Sequence, residues 1–189
     1  MTLQTGMMLL AAKMPLDMMI SKMSEGMVET LKIFFLTLLF SLPLGLVIAF
    51  GRMAKNRIIR YIVTVYIAIM RGTPLMLQVM AIYFGPNYLL HIRIPRSYRF
   101  IAIIVAFALN YAAYFAEIYR SGIESMPVGQ YEASRLLGYN KAQTFFKIIL
   151  PQVIKRILPS ITNEVICLVK DTSLAFSIAY LEMFTVAKQ

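Results

Sequence analysis

Long uncharged runs separated by short polar segments make up most of this chain. Ile33 to Gly51 passes nineteen residues without a charge, which at about 1.5 Å per residue crosses a hydrocarbon core of roughly 30 Å. A second apolar segment, Tyr61 to Leu90, is interrupted once, and a third run covers Phe100 to Ala116. A last apolar region extends from Ile157 to Val186. The pattern predicts four transmembrane helices.

Residues 1–30 differ from this pattern because they are rich in methionine and carry five charged residues. Their apolar stretch is too short to span a bilayer, so we expect an amphipathic lead-in at the interface. A signal peptide is the competing interpretation, but the acidic residues and the lack of a small-residue cleavage site disfavour it. The transmembrane domain is then expected to cover residues 31–189.

Two interruptions mark places where irregular backbone is expected at membrane depth. Arg71-Gly72-Thr73-Pro74 divides the second segment, and such a break is tolerated where it faces protein, water or the interface. This break is therefore a candidate site, with Arg71 expected to anchor it at a membrane surface. A second break is expected near Lys170 to Ser173 in the fourth span.

Composition supports a membrane protein and limits other classes. Of the 189 residues, 59% are apolar and 15% charged, with a net charge of +10. The basic residues lie in clusters between apolar runs, as in cytoplasmic loops, and this argues against nucleic-acid binding. With one cysteine, Cys167, and one histidine, His91, an internal disulfide and a metal site built on these residue types are not expected.

The basic residues also predict an orientation. Four follow the first span and six lie between Arg120 and Arg156, against three in the loop between the second and third spans. Because Lys and Arg are enriched in cytoplasmic loops, we expect the N-terminus outside and the long polar connection, residues 121–151, in the cytoplasm.

The polar connection contains the stretch QYEASRLLGYNKAQTFFKIILPQ, from Gln130 to Gln152. Gly138 can end a first short helix because glycine readily adopts the left-handed conformation. Asn140 can cap a second helix, and Pro151 can open the next one at its first turn. The predicted unit is a helix, a tight turn and a helix, which can dock into the groove of a partner protein.

This stretch resembles the EAA loop, E-A-A-x3-G-x9-I-x-L-P, of type I ABC import permeases. The matching positions are Glu132, Ala133, Ser134, Gly138, Ile148, Leu150 and Pro151, with Ser134 where the family usually has alanine. Three further segments resemble the polar amino acid branch of that family: RGTPLMLQ from Arg71, NYAAYFAEIYRSGIESMPVGQ from Asn110, and KDTSLAF from Lys170. The resemblance extends from about residue 30 to the C-terminus.

The resemblance implies an all-α integral membrane bundle of four to five transmembrane helices with a cytoplasmic coupling helix, in a bacterial inner membrane. It implies a second permease subunit, identical or related, two cytoplasmic ATPase subunits that bind ATP and Mg²⁺, and an extracytoplasmic amino acid-binding protein. The chain itself has no G-x4-G-K-[ST] phosphate loop, so we expect no cofactor and no ATP hydrolysis here. Family members usually carry a fifth helix about thirty residues after KDTSL, and this helix is expected to be missing from the sequence.

Coupling to the ATPase is assigned to five residues of the loop: Glu132, Ala133, Ser134, Gly138 and Lys141. A docking helix must transmit the motion of the ATPase to the membrane helices. We therefore hypothesise that Gly138→Asp uncouples ATP hydrolysis from transport, since glycine alone adopts this turn conformation at little cost. The competing interpretation of Glu132 is a solvated carboxylate that pairs with Arg135, three residues on.

Five polar residues at membrane depth are candidates for the substrate pathway, because such groups are costly in lipid. Glu164 and Asp171 are seven residues apart, so a continuous helix places both on one face, where they could hold a cationic side chain. Thr73, Gln78 and Asn110 could supply neutral partners. Two structural alternatives stay open: Glu164 pairs with Lys170 or Arg156, or Asp171 caps a following helix through Thr172 and Ser173.

The sequence therefore predicts the permease subunit of an ATP-driven importer for a polar amino acid, with a cationic substrate as an open option. A stand-alone ion channel or secondary transporter using the intramembrane carboxylates is the alternative, but it leaves the helix–turn–helix unexplained. Glu117 and Arg120, one turn apart, are expected to form an interface ion pair or a gate. An intramembrane enzyme is disfavoured because the sequence carries no recognisable catalytic constellation.

Overall fold

The structure, a computed structural model, describes residues 16–91, 95 and 98–186, and these contain helices but no strands. In chain order, two long helices, α1 (Leu16–Arg52) and α4 (Tyr98–Glu124), flank a shorter pair, α2 (Arg57–Gly72) and α3 (Leu75–Leu90). The short helices α5 (Val128–Leu136) and α6 (Lys141–Gln143) follow, then a π-helical turn, Thr144–Ile149, and the final helix α7 (Leu150–Val186).

The expected class, an all-α membrane bundle, is confirmed. Gly26–Arg52 and Tyr98–Glu124 are each long and apolar enough to cross a bilayer, and the pair α2–α3 meets the same criterion as one bent unit. The 37-residue α7 is longer than a bilayer requires, although its described residues do not meet the apolarity criterion that the other elements meet. These elements are consistent with the predicted span count.

Helix α4 forms the centre of the bundle. Its alanines at positions 102, 106, 112, 113 and 116 are fully buried, and so are Phe107 and Phe115. Helix α1 packs along it most extensively, while α3 and α7 pack on its other sides. Small side chains let helix backbones approach closely where lipid offers no hydrophobic driving force between helices. Gly45 of α1 is such a contact, since an added Cβ would lie 2.9 Å from Phe115 Cβ.

The interruption in the second segment is a bend of 108° between α2 and α3. Thr73 ends α2 in an extended conformation (φ −117°, ψ 143°), and Pro74 is the N-cap of α3. The residue before a proline is driven out of the helical region because the proline ring clashes with it. The predicted break is therefore present, and the proline explains its position.

The second predicted break, near Lys170 to Ser173, is absent, because α7 is continuous through these residues. The hydroxyls of Thr172 and Ser173 donate to the carbonyls of Val169 and Lys170, both at 2.7 Å. Both hydroxyls are thus satisfied within the helix, and the segment contains no glycine or proline that would break it. Asp171 does not begin a new helix, so the capping alternative is wrong.

Two predicted boundaries also differ from the structure. Helix α1 continues across residue 30, so the described part of the lead-in and the first span share one helix; how the lead-in lies in the membrane stays a prediction, and its residues 1–15 lie outside the described part. Helix α4 extends to Glu124, so the polar connection begins later than residue 121. Both extensions are polar ends of helices whose hydrogen bonds continue beyond the apolar run.

Candidate functional site

The polar connection folds as the expected helix–turn–helix. Gly138 has φ +79°, the only glycine among the described residues with a positive φ, and it lies two residues after α5 ends. Asn140 caps α6: its side chain accepts from the Gln143 amide at 2.9 Å, and the Gln143 side chain accepts from the Asn140 amide at 3.0 Å. This reciprocal pair is a capping box, which fixes the direction in which the second helix leaves the turn.

Ser134 joins the two halves of this unit. It is 1% exposed, donates to the Tyr131 carbonyl at 2.9 Å, and accepts from Thr144 Oγ1 at 3.0 Å. Glu132, Ala133, Gly138 and Lys141 are exposed. Four of the five predicted coupling residues are therefore accessible to a partner, whereas Ser134 holds the loop together from inside. The part of the chain that is described contains no ion pair between Glu132 and Arg135.

Apolar side chains also project from this polar unit. Leu136 is 89% and Leu137 75% exposed, although both lie beside the turn in an otherwise polar segment. A single exposed leucine is ordinary, but adjacent ones beside a rigid turn are typical of a surface that a partner covers. We name the outward face formed by Glu132, Ala133, Leu136, Leu137 and Lys141 the docking face.

A buried apolar cluster packs the segment that carries the docking face against the transmembrane helices. Ile149, Val153 and Ile157 form a buried cluster with Met126, and an added Cβ on Gly122 of α4 would lie 2.2 Å from Ile157. Arg156 adds a 2.8 Å hydrogen bond to the Ser125 carbonyl, so it does not pair with Glu164. The segment that carries the docking face is therefore packed against both α4 and α7.

The π-helical turn connects the loop to α7. Leu150 N–H bonds to the Phe145 carbonyl, one residue further back than in an α-helix. Pro151 has no N–H to offer and its ring would crowd the carbonyl four residues before it, so the wider turn accommodates it. Helix α7 begins at Leu150 and has Pro151 in its first turn, as the sequence predicted, and the π-helical turn precedes it without a break.

A cavity of about 570 Å³ lies beside the bend between α2 and α3, and α4 and α7 complete it. Glu164 and Asp171 both line it, as their seven-residue spacing on a continuous helix requires. The other lining residues are Arg71, Gly72, Thr73, Pro74, Leu75, Asn110, Tyr111, Tyr114, Cys167 and Leu174. Four of the five predicted pathway residues therefore meet here, and Gln78 does not line the cavity.

The predicted neutral groups are largely engaged with one another. Gln78 Nε2 donates to Thr73 Oγ1 at 2.7 Å and to the Met70 carbonyl at 2.9 Å. Asn110 Nδ2 donates to the same Met70 carbonyl and to Gln78 Oε1, both at 3.0 Å. These bonds satisfy the backbone groups that the bend leaves without helical partners. Gln78 and Asn110 thus act first as supports of the bend.

Asp171 and Glu164 differ in their surroundings. Asp171 Oδ2 accepts a 2.7 Å hydrogen bond from the Tyr111 hydroxyl, so one of its oxygens is held in place. Glu164 has no hydrogen bond or ion pair with any residue that the structure describes, Lys170 and Arg156 included. Neither pairing alternative for Glu164 is present, and its carboxylate is available to the cavity.

Three lining residues were missed as pathway candidates: Arg71, Tyr111 and Tyr114. Arg71 lines the cavity, and its guanidinium carbon lies 5.1 Å from the centroid of the Tyr114 ring; that it anchors the break at a membrane surface stays a prediction. The break at Thr73–Pro74 was the available signal, because irregular backbone at membrane depth faces a cavity. The two tyrosines gave no signal, since tyrosines in apolar runs are ordinary.

Glu117 and Arg120 form the expected ion pair at the end of α4, with 2.6 Å between Arg120 Nη2 and Glu117 Oε2. Arg52 at the end of α1 donates to Glu117 Oε1 at 3.4 Å, and Arg120 also contacts Glu124. The network connects α1 to α4 away from the cavity, so these groups are not pathway ligands in this structure.

Comparison with known proteins agrees with this architecture. Residues 41–187 match the family described as binding-protein-dependent transport system inner membrane component. The chain belongs to this family. It is therefore a membrane permease of the type I ABC importer kind, in the polar amino acid branch. These matches support an importer and not a stand-alone channel or secondary transporter.

Individual relatives are permease subunits of amino acid transport systems. It is 40% identical over 150 residues to a putative glutamine transport system permease protein GlnP of Rickettsia bellii (strain RML369-C), covering 79% of this chain and 67% of that protein. It is 37% identical over 167 residues to the L-cystine transport system permease protein TcyB of Bacillus subtilis (strain 168), covering 88% and 70%.

A solved structure is similar in fold as well as in sequence. A crystal structure of an amino acid ABC transporter with histidines superposes with a TM-score of 0.75 and 35% identity, covering 88% of this permease and 78% of that chain. The permease is thus an inner-membrane component of an amino acid importer whose family context implies ATPase partners and a second permease.

Proposed function

We propose that this permease passes a cationic amino acid through the cavity beside the α2–α3 bend. The observation that supports this most directly is the pair of carboxylates, Glu164 and Asp171, on one wall of a space of about 570 Å³. A cavity of this size can hold an amino acid. Ionisable groups inside a membrane domain are costly unless they meet an opposite charge, and a cationic side chain provides one.

The ATPase subunit transmits its conformational change to the permease at the docking face. Exposed Leu136 and Leu137 beside the left-handed Gly138 suit a groove on a cytoplasmic ATPase subunit, one for each permease of the pair. ATP and Mg²⁺ bind and react in those partners, and the rigid support by Ile149, Val153 and Ile157 carries the motion to α4 and α7. An extracytoplasmic binding protein delivers the substrate from the other side.

This arrangement requires the docking face in the cytoplasm and the N-terminus outside. The six basic residues between Arg120 and Arg156 support it through the preference of Lys and Arg for cytoplasmic loops. Whether Glu132, Ala133, Gly138 and Lys141 touch the ATPase is part of the same proposal, and crosslinking from cysteines at these positions tests it.

The substrate charge is tested with Glu164→Gln in the reconstituted complex. Uptake of arginine and lysine is compared with uptake of glutamine, because the variant keeps the shape and removes the charge. We expect the preference for the cationic substrates to fall by roughly 10-fold, as for loss of one charge-assisted hydrogen bond. Glu29→Gln, which neutralises an exposed carboxylate paired with Lys32, is the control. An unchanged preference removes Glu164 from the pathway.

A further inference from the structure

Arg71 is the one cation among the described residues that line the cavity. It lies in the last turn of α2, just before the bend, and its guanidinium carbon is 5.1 Å from the centroid of the Tyr114 ring. A cation at this distance from a ring face is attracted by the ring's quadrupole. Tyr114 therefore holds the guanidinium at the cavity.

The hydrogen-bonding groups of Arg71 are not occupied by the described part of the chain. Arg52 and Arg120 are ion-paired with Glu117, and Arg156 donates to Ser125, whereas Arg71 has no hydrogen bond or ion pair with any described residue. Contact with a ring leaves the guanidinium N–H groups without a hydrogen-bond acceptor. Arg71 thus presents a planar set of donors that matches a carboxylate.

The acidic groups of the cavity do not themselves accept hydrogen bonds from the Arg71 guanidinium. The positive charge of Arg71 acts electrostatically on the Glu164 carboxylate. No carboxylate of the described residues, however, lies within 4.0 Å of the Arg71 guanidinium, the distance of an ion pair. Asp171 is held by Tyr111 on α4. The cavity therefore separates one positive group from two negative ones, and a ligand that fills it can pair with each.

We propose that Arg71 binds the α-carboxylate of the substrate, while Glu164 and Asp171 receive its α-ammonium and side-chain cation. This inference rests on the proposed function and adds the orientation of the substrate. An amino acid with one carboxylate and two cationic groups matches the three cavity charges one for one. The site therefore selects cationic amino acids with a free carboxylate over amines that lack it.

The test compares ligands that differ only at the carboxylate. Binding of L-arginine, L-arginine α-amide and agmatine is measured by calorimetry on the detergent-purified complex of the permease with its ATPase. We expect the wild-type complex to bind arginine roughly 10- to 100-fold more tightly than the other two, the range for hydrogen bonds to a charged group. This ligand series needs no variant, so it stands even if a substitution impairs folding.

Arg71→Gln should weaken arginine binding by the same factor and leave α-amide binding unchanged, and Arg71→Lys should restore part of the difference because it keeps the charge without the planar donors. General damage to the fold lowers binding of both ligands and leaves their ratio intact. Arg60→Gln, on the exposed start of the same helix, should behave as wild type.

The outcomes separate the two proposals. A wild-type complex that binds arginine and its α-amide equally, or an Arg71→Gln complex that still prefers arginine, overturns the role of Arg71 and leaves the importer intact. A wild-type complex that neither binds nor transports any cationic amino acid overturns the proposed function itself.

Discussion

The hydroxyl of Tyr111 on α4 donates a 2.7 Å hydrogen bond to Asp171 Oδ2 on α7. Tyr111 is 2% exposed, and its ring packs against Phe107 and Phe115 in the core of the bundle. A buried aromatic ring thus fixes the position of a carboxylate that lines the cavity. The hydrogen bond connects the buried core of the bundle to the proposed pathway.

Tyr111→Phe removes the hydroxyl and retains the ring. We expect KM for a cationic amino acid to rise about 5-fold, because Asp171 loses a donor worth roughly 1 kcal/mol, while kcat changes less. Uptake kinetics in proteoliposomes measure both values. Tyr88→Phe, on an exposed tyrosine of α3, is the control, and an unaltered KM in Tyr111→Phe contradicts the positioning role.

Ser134 and Thr144 should act as a coupled pair. Ser134→Ala removes the 3.0 Å hydrogen bond between the two hydroxyls and should lower the free energy of unfolding by about 1 kcal/mol. Thr144→Val should cost a similar amount, and the double variant should cost less than the sum. Thermal unfolding of the four proteins gives the coupling energy; simple additivity means that the bond does not stabilise the loop.

Gly138 should tolerate substitutions in the order of their left-handed preference. Its φ of +79° penalises β-branched residues most, and Asn or Asp least among the others. We expect Gly138→Val to lose coupling more completely than Gly138→Asp, measured as amino acids imported per ATP hydrolysed. Gly129→Ala is the control, because Gly129 lies inside α5 with open space around it. Normal coupling in Gly138→Val refutes the rigid turn.

Gly45 should be needed for the approach of α1 to α4. A Cβ there would lie 2.9 Å from Phe115 Cβ and 3.1 Å from the Ala112 carbonyl oxygen, so Gly45→Ala should destabilise the permease by about 1–3 kcal/mol through overpacking. Gly85→Ala in α3, where nothing lies within 4 Å, should be neutral or stabilising by up to about 1 kcal/mol. Thermal unfolding in detergent compares the two; equal midpoints mean that α1 can shift without loss.

Features that depend on local chemistry were predictable. Gly138 and Asn140 act within a few residues of themselves, and the bend at Thr73–Pro74 follows from the proline ring. Pro151 in the first turn of α7 follows in the same way, whereas the break predicted near Lys170 to Ser173 is wrong. The alternative that Asp171 caps a following helix through Thr172 and Ser173 is also wrong, because both hydroxyls bond to carbonyls three residues earlier in a continuous helix.

The membrane class, the helix–turn–helix with its glycine turn and the spacing that aligns Glu164 with Asp171 follow from the amino-acid sequence, because hydropathy and backbone preference act along the chain. The packing of the helices sets which polar side chains are left without hydrogen-bond partners. Asn110 and Gln78, 32 residues apart, bind each other, and Tyr111 reaches Asp171 across 60 residues. Such contacts depend on how helices pack in three dimensions, and that packing also brings Arg71 into the lining of the cavity beside Tyr114.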